Sequence, residues 1–249
     1  MTVKVAINGF GRIGRITLRA LLQKENVQVV AINDLADAKT LAHLFKYDSV
    51  HRVYQGSVSA TDHTINIDGN DIKILNQKDP ANLPWKELDV DFVIESTGLF
   101  RDRESASTHL KAGAKKVIIS APAKGDIKTV VLGINDDLLT GDEDIISNAS
   151  CTTNCLAPVV KVVQEGLGIK HGVITTIHDV TNTQNLLDAP HKDPRRARSS
   201  LLSLIPTSTG SATAIGLIYP ELLGKLNGIA VRVPLLNESL TDCVFELER

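Results

Sequence analysis

Cysteine is scarce in this 249-residue chain, with Cys151, Cys155 and Cys243 the only three. An odd number without framework spacing excludes a disulfide-stapled fold and makes a reducing cytoplasm the expected setting. The opening residues, MTVKVAING, lack the basic segment and apolar run of a secretory signal. Nowhere does an apolar run approach the roughly 20 residues that span a bilayer, so no membrane partner is expected. An excess of either charge is also missing. Lys plus Arg number 27 against 29 for Asp plus Glu, and a net charge of −2 offers no bulk field to attract nucleic acid. Neither Cys-x-x-Cys pairs nor a histidine-rich cluster accompanies the cysteines, which speaks against a metal centre. What remains is a chain 43% hydrophobic, long enough for one or two compact units whose partners bind at local sites.

The apolar pattern has the order of an α/β protein. Val3 to Ile7 is a β-branched run that passes through Asn8-Gly9-Phe10-Gly11 into a helical segment, Arg12 to Leu22, and Val27 to Ile32 is a second strand-like run. Strand, helix and strand at this length predict a βαβ unit with parallel strands and a right-handed crossover. Further strands are predicted at Thr64–Ile67 and Ile72–Leu75, joined through Asp68-Gly69, and at Asp91–Glu95, Lys116–Ser120, Thr129–Leu132 and Ile145–Ser147, with a helix over Arg103–Lys111. The pattern weakens between Val50 and Leu88. From Cys151 it changes to a helix reaching Glu165, a strand over Gly172–Ile177, a long polar stretch from Thr181 to Ser200, a helix over Ser211–Tyr219, and strands over Gly228–Val233 and Thr241–Glu246. A long irregular stretch inside a compact domain is more often functional or intersubunit than idle. The reading is a first domain over 1–150 and a second over 151–249, with the boundary near Ser150.

Gly9-Phe10-Gly11-Arg12-Ile13-Gly14 fits G-x-G-x-x-G. The first glycine permits the tight turn, the second lets a pyrophosphate approach the backbone, and the third lets helix and strand pack closely. Alone the motif is weak, since structural glycines supply the same letters. Here it follows a strand, opens a helix, and is followed twenty residues after Gly14 by Asp34 at the end of the next strand. A carboxylate there accepts hydrogen bonds from a ribose hydroxyl pair and repels a 2′-phosphate, which points to NAD as cofactor.

Ser150-Cys151-Thr152-Thr153-Asn154-Cys155 lies between a strand-like and a helical run, which places Cys151 at or near a helix N-terminus. That position, with a basic partner, lowers a thiol from its ordinary value of about 8.5. His178, after the run Val173–Ile177, is a candidate partner. The bland alternative is a pair of buried thiols one helical turn apart, with a structural histidine elsewhere; the residue types alone leave both open.

Taken together, INGFGRIGR from Ile7, IND at Asp34, ESTGLF from Glu95, SNASCTTNCLAP around Cys151, IPTSTG from Ile205 and KLNGIAVRVP from Lys225 resemble the phosphorylating glyceraldehyde-3-phosphate dehydrogenase family over the whole chain. The resemblance implies a Rossmann-type doubly wound parallel sheet followed by an α+β catalytic domain. It implies Cys151 as the nucleophile that forms a thioester with glyceraldehyde 3-phosphate, His178 as base, and inorganic phosphate as the ion that releases an acyl phosphate. By the same resemblance Thr181 and Arg232 hold the substrate phosphate, and Ser150, Thr152, Thr209 and Gly210 hold the attacking one. Gly9, Gly11, Arg12, Ile13 and Gly14 hold the NAD pyrophosphate, Asp34 the adenosine ribose, and Ser120 lies on the nicotinamide side. The arginines Arg195, Arg196 and Arg198 fall in a loop that the family places against a neighbouring subunit, so a homotetramer is implied rather than a nucleic-acid surface.

The match departs from the family in three places. Usual members continue well past Arg249, so the catalytic domain is expected to be incomplete at its C-terminus, as a fragment or a short form. Asp179-Val180 stands where a small residue and tyrosine are usual, and Ser211-Ala212-Thr213 where Ala-Ala-Lys is common. A carboxylate beside His178 either favours the imidazolium or points away. These changes resemble the branch found in arsenic-resistance operons, which implies arsenate as an alternative to phosphate. Erythrose 4-phosphate as substrate, and a thiol redox sensor that binds NAD without turnover, are the other readings the residues leave open.

Overall fold

A computed structural model describes residues 2–249. The chain divides into two compact units, Met1–Val130 with Leu138–Asn148, and Val131–Asp137 with Ala149–Arg249.

In chain order the first unit comprises β1 (Val3–Asn8), α1 (Arg12–Leu21), β2 (Val27–Asn33), α2 (Ala38–Lys46), the short ribbon β3 (Tyr47–Asp48) and β4 (Arg52–Val53), β5 (Val58–Ala60), β6 (Thr64–Ile67), β7 (Asn70–Leu75), β8 (Phe92–Glu95), α3 (Arg103–Lys111), β9 (Lys116–Ile119), β10 (Lys128–Thr129) and β11 (Ile145–Ser147). Apart from the ribbon, the strands form one nine-stranded sheet in the order β10-β11-β9-β8-β1-β2-β7-β6-β5. β1 runs parallel to both β2 and β8, so the order reverses there. In such sheets ligands bind outside the carboxyl ends of the strands at that reversal. Strands covered on both faces are nearly continuously apolar, and Val5, Ile7, Val29, Ile32, Ile65 and Ile72 pack with Leu18, Leu41 and Phe45 in the main core of this unit.

Local chemistry explains the boundaries. Asp68 and Gly69 have φ of +50° and +85°, the pair of left-handed residues that a tight hairpin between β6 and β7 requires. Asp37 caps α2 by accepting from the Thr40 N–H, and Asp102 and Ser105 form a reciprocal capping box on α3. The predicted strand over Thr129–Leu132 is corrected: β10 stops at Thr129, and Val131 instead donates its N–H to Asn135 Oδ1 and packs in the core of the second unit.

The second unit contains α4 (Cys151–Leu167), β12 (Ile169–His178), β13 (Ile205–Ser208), α5 (Ser211–Ile218), β14 (Leu226–Arg232) and β15 (Leu240–Leu247). Its sheet has the order β13-β14-β12-β15, with β12 parallel to β14 and antiparallel to β15. Period-two alternation along β12 buries Ile174, Thr176 and His178 and turns Val173 and Ile177 outward. Leu156, Ala157 and Val160 of α4 and Ala212 and Ile215 of α5 meet Ile174 and Leu226 in one core. The opposite face of the sheet keeps Val173, Ile229, Leu240 and Val244 exposed. Among the described residues no helix is long and apolar enough to cross a membrane.

Candidate functional site

The glycine turn is built as its spacing demands. Gly9 has φ +91°, and a Cβ there would stand 2.6 Å from the Thr97 backbone nitrogen; a Cβ on Gly14 would stand 2.2 Å from the Gly9 carbonyl oxygen. Both positions therefore need glycine for packing. Gly11 differs: nothing lies within 4 Å of its would-be Cβ, its φ is −71°, and as N-cap of α1 it brings no side chain to the first-turn N–H groups. An open approach to unpaired donors at a helix N-terminus suits a phosphate, so the residues present fit a dinucleotide. Gly11→Ala is expected to fold with unchanged thermal stability and to bind NAD about tenfold more weakly, because only the ligand's space is filled. Gly14→Ala is expected to lose about 2 kcal/mol of stability as well, because its methyl group meets backbone. Thermal unfolding alongside NAD titration separates the two effects.

Around this turn the carboxyl ends of β1, β8 and β9 converge. Asp34 Oδ2 accepts from the Phe10 N–H at 2.7 Å and Oδ1 from the Ala36 N–H at 3.1 Å, which ties the end of β2 to the turn. Ser120 directs both its N–H and its hydroxyl to the Glu95 carbonyl oxygen. Ile13 is exposed on the first turn of α1. Sequence reasoning missed the support beneath. Glu95, 1% exposed, accepts from Asn8 Nδ2 at 2.6 Å, from the Thr97 N–H at 2.8 Å and from the Thr97 hydroxyl. Trp85 Nε1 donates to His109 Nδ1 at 3.0 Å, so the ring proton sits on Nε2 and completes the set at Glu95 Oε2, 3.1 Å away. An acid at the end of an apolar strand, in FVIE, is the signal that marks such a network.

The thiol site belongs to the second unit. Ala149 takes φ +59°, a left-handed conformation that costs a non-glycine residue on the order of 1 kcal/mol and is retained where a site needs it. Ser150 then caps α4, its Oγ accepting from the Thr153 N–H at 3.0 Å, and Cys151 is the first helical residue with its side chain exposed. Cys151 Sγ lies 3.4 Å from His178 Nε2. The hydrogen bond to His178 holds the thiol below its ordinary range against the partial desolvation imposed by the surrounding protein. The same contact raises the imidazole, with burial and the Arg232 charge opposing. Both shifts favour a thiolate beside an imidazolium at a helix N-terminus.

His178 and Arg232 end β12 and β14 directly opposite one another in register. Arg232 lies 2.8 Å from His178 Nδ1 and donates to the Asp179 carbonyl at 2.8 Å, while its Nε is buried without a partner, a donor suited to an oxyanion. Ser150 Oγ is 3.3 Å from Ser211 Oγ, and Thr209 Oγ1 is 3.2 Å from the same Ser211 oxygen. Ser211, one of the departures from the family pattern, thus links Ser150 to Thr209 beside Gly210, the uncapped N-terminus of α5. Thr152 is buried within the first turn of α4. Thr181 turns its hydroxyl to Thr183 and Gln184.

The arginines of the long loop are engaged locally: Arg195 with Asp193, Arg198 with Asp188, and Arg196 with the Thr183 hydroxyl. Among the described residues no group of three or more His, Cys, Asp or Glu could hold a metal ion.

Two domain models of one known protein family match the chain. Residues 3–103 match the glyceraldehyde 3-phosphate dehydrogenase NAD binding domain and residues 150–249 its C-terminal domain. The chain is 56% identical to a glyceraldehyde-3-phosphate dehydrogenase of Geobacillus stearothermophilus over 250 residues, covering 100% of this chain and 75% of that protein. It is 55% identical to one of Pseudomonas aeruginosa and 54% to a plasmid-encoded one of Cupriavidus necator, with the same coverage. The chain therefore belongs to the glyceraldehyde-3-phosphate dehydrogenase family.

Proposed function

We propose that this chain oxidises glyceraldehyde 3-phosphate with NAD through a covalent thioester on Cys151. The observation that carries the reading is the 3.4 Å approach of Cys151 Sγ to His178 Nε2 at the N-terminus of α4. The thiolate attacks the aldehyde carbon; the C–S bond forms as the carbonyl π pair moves to oxygen, which takes the proton from the His178 imidazolium to give a thiohemiacetal and a neutral ring. His178 Nε2 removes the hydroxyl proton as the carbonyl re-forms. NAD, when bound, supplies the acceptor for the hydride that leaves the same carbon. A phosphate oxygen then attacks the thioester, the C–S bond breaks and the thiolate returns.

Arg232 and Thr181 serve the substrate phosphate, and Ser150, Thr152, Thr209 and Gly210 the attacking ion, all as neutral donors or a fixed cation. Gly9, Gly11, Arg12, Ile13, Gly14, Asp34 and Ser120 serve the cofactor. Arsenate has the shape and charge of phosphate and suits the same donors. The exposed apolar face of the second sheet, with Leu186, Leu187, Leu201 and Leu202 exposed on the long loop, suits burial between subunits of a homotetramer. Free cysteines suit a reducing cytoplasm.

The reading predicts a burst. With NAD and aldehyde but neither phosphate nor arsenate, NADH formation stops near one equivalent per site and intact mass shows the acyl adduct; adding either ion restores turnover. Steady turnover without an oxyanion, or no adduct at all, contradicts the thioester. The ratio of rates with the two ions decides the arsenate question.

A further inference from the structure

The departure at position 179 lies in the site itself. His178 Nδ1 has three close neighbours: Asp179 Oδ1 at 2.7 Å, the Asp179 carbonyl oxygen at 2.8 Å and the Arg232 terminal nitrogen at 2.8 Å. These make opposite demands. A guanidinium only donates, so pairing with Arg232 would require Nδ1 to be bare and would put the proton of the neutral ring on Nε2. A ring in that form cannot take a proton at the atom facing Cys151. Carboxylate and carbonyl oxygens only accept, and both require the proton on Nδ1. Arg232 has another acceptor for the same nitrogen in the Asp179 carbonyl, at 2.8 Å.

We propose that Asp179 is a positioning residue for His178: its carboxylate, held by Ser239, keeps the ring proton on Nδ1 so that Nε2 accepts protons from Cys151 and from the reacting oxygen. This rests on the reading of Cys151 as nucleophile and His178 as base. The carboxylate is itself held in place. Ser239 donates to Asp179 Oδ1 at 3.2 Å and accepts from the Asp179 N–H at 3.1 Å. With His178 7% and Asp179 6% exposed, little water screens the contact, and a charge-assisted bond outweighs one to a neutral carbonyl. The charged and titratable groups around the ring are Cys151 from α4, Arg232 from β14 and Asp179 from the end of β12, with Arg196 acting on Arg232 from beyond.

The test is alkylation of Cys151 by iodoacetamide as a function of pH, followed by intact mass, beside kcat and KM for glyceraldehyde 3-phosphate. Asp179→Asn keeps the volume and removes the acceptor charge. It is expected to lower kcat about 100-fold with KM nearly unchanged, and to move the alkylation midpoint upward by about one unit. Asp179→Glu is expected to recover part of both, and Ser239→Ala, which leaves the carboxylate unheld, to shift both in the same direction by less. Wild-type kcat and midpoint in Asp179→Asn would overturn the inference. Were that variant unfolded by circular dichroism, an unshifted Ser239→Ala would overturn it. Failure of the underlying reading looks different: wild-type Cys151 would alkylate as an ordinary thiol, unaffected by any change at His178.

Discussion

Cys151→Ser is expected to lower NADH formation on the order of 10⁴-fold while leaving NAD affinity and the far-ultraviolet spectrum unchanged. Serine keeps the position at the start of α4 and the contact with His178, but its hydroxyl is far less acidic than a thiol. Neither the helix N-terminus nor the imidazole ionises it appreciably at neutral pH, so the attacking anion disappears. An oxygen ester would also release its acyl group to phosphate less readily than a thioester. The contacts and open donors of the glycine turn do not involve Cys151, so cofactor binding there is expected to persist. Initial rates beside an NAD titration measure both effects. A loss smaller than tenfold would show that the covalent step belongs to another residue.

His178→Asn is expected to separate two roles of the ring. Wild-type Cys151 is held below the ordinary thiol range chiefly by its hydrogen bond to His178. Alkylation, which needs the thiolate, therefore persists as pH falls below that range and is lost only as pH passes the lowered thiol value. Without the ring the loss begins near the ordinary value of about 8.5. Raising the pH then restores alkylation of His178→Asn. It does not restore turnover, because proton removal from the thiohemiacetal still lacks a base; kcat stays down by about 10²- to 10⁴-fold. If alkaline pH restored turnover as well, His178 would serve only to ionise the thiol.

Much of this architecture was legible because local rules acted alone. Val3 to Gly14 contains strand, turn and helix start in twelve residues; Gly9 and Gly14 answer contacts within that stretch or just past the neighbouring β8, and Gly11 leaves open space. The Asp68-Gly69 hairpin, the helix Arg103–Lys111 and the strand Ile145–Ser147 follow from turn chemistry, capping and apolar runs. Less legible elements depend on partners. β13 begins Ile-Pro and has only four residues; it is a strand because Ile205–Ser208 pairs with the end of β14. β12 starts at Ile169 rather than Gly172 because Leu247 pairs there, across polar Lys170 and His171. α2 lies between β2 and the weakly patterned stretch, and its apolar face, Leu41, Ala42 and Phe45, shows its purpose only once the core is assembled.

The candidate site divides along the same line. By itself the sequence determined the nucleotide turn, the acid at position 34 and the thiol at a helix start, since each is set by residues within one or two turns of chain. The tertiary structure alone decided that Cys151 meets His178, that Arg232 stands beside the ring, and that Ser211 bridges Ser150 and Thr209. It also decided the direction of Asp179. Successive side chains along a strand point to opposite faces, which would carry Asp179 away from His178. β12 ends at His178, however, and the chain turns so that the Asp179 N–H reaches Ser239, sixty residues on and next to the start of β15. That turn sets the Asp179 carboxylate against Nδ1 of the preceding residue, and it goes with a contact sixty residues along the chain and not with any local pattern.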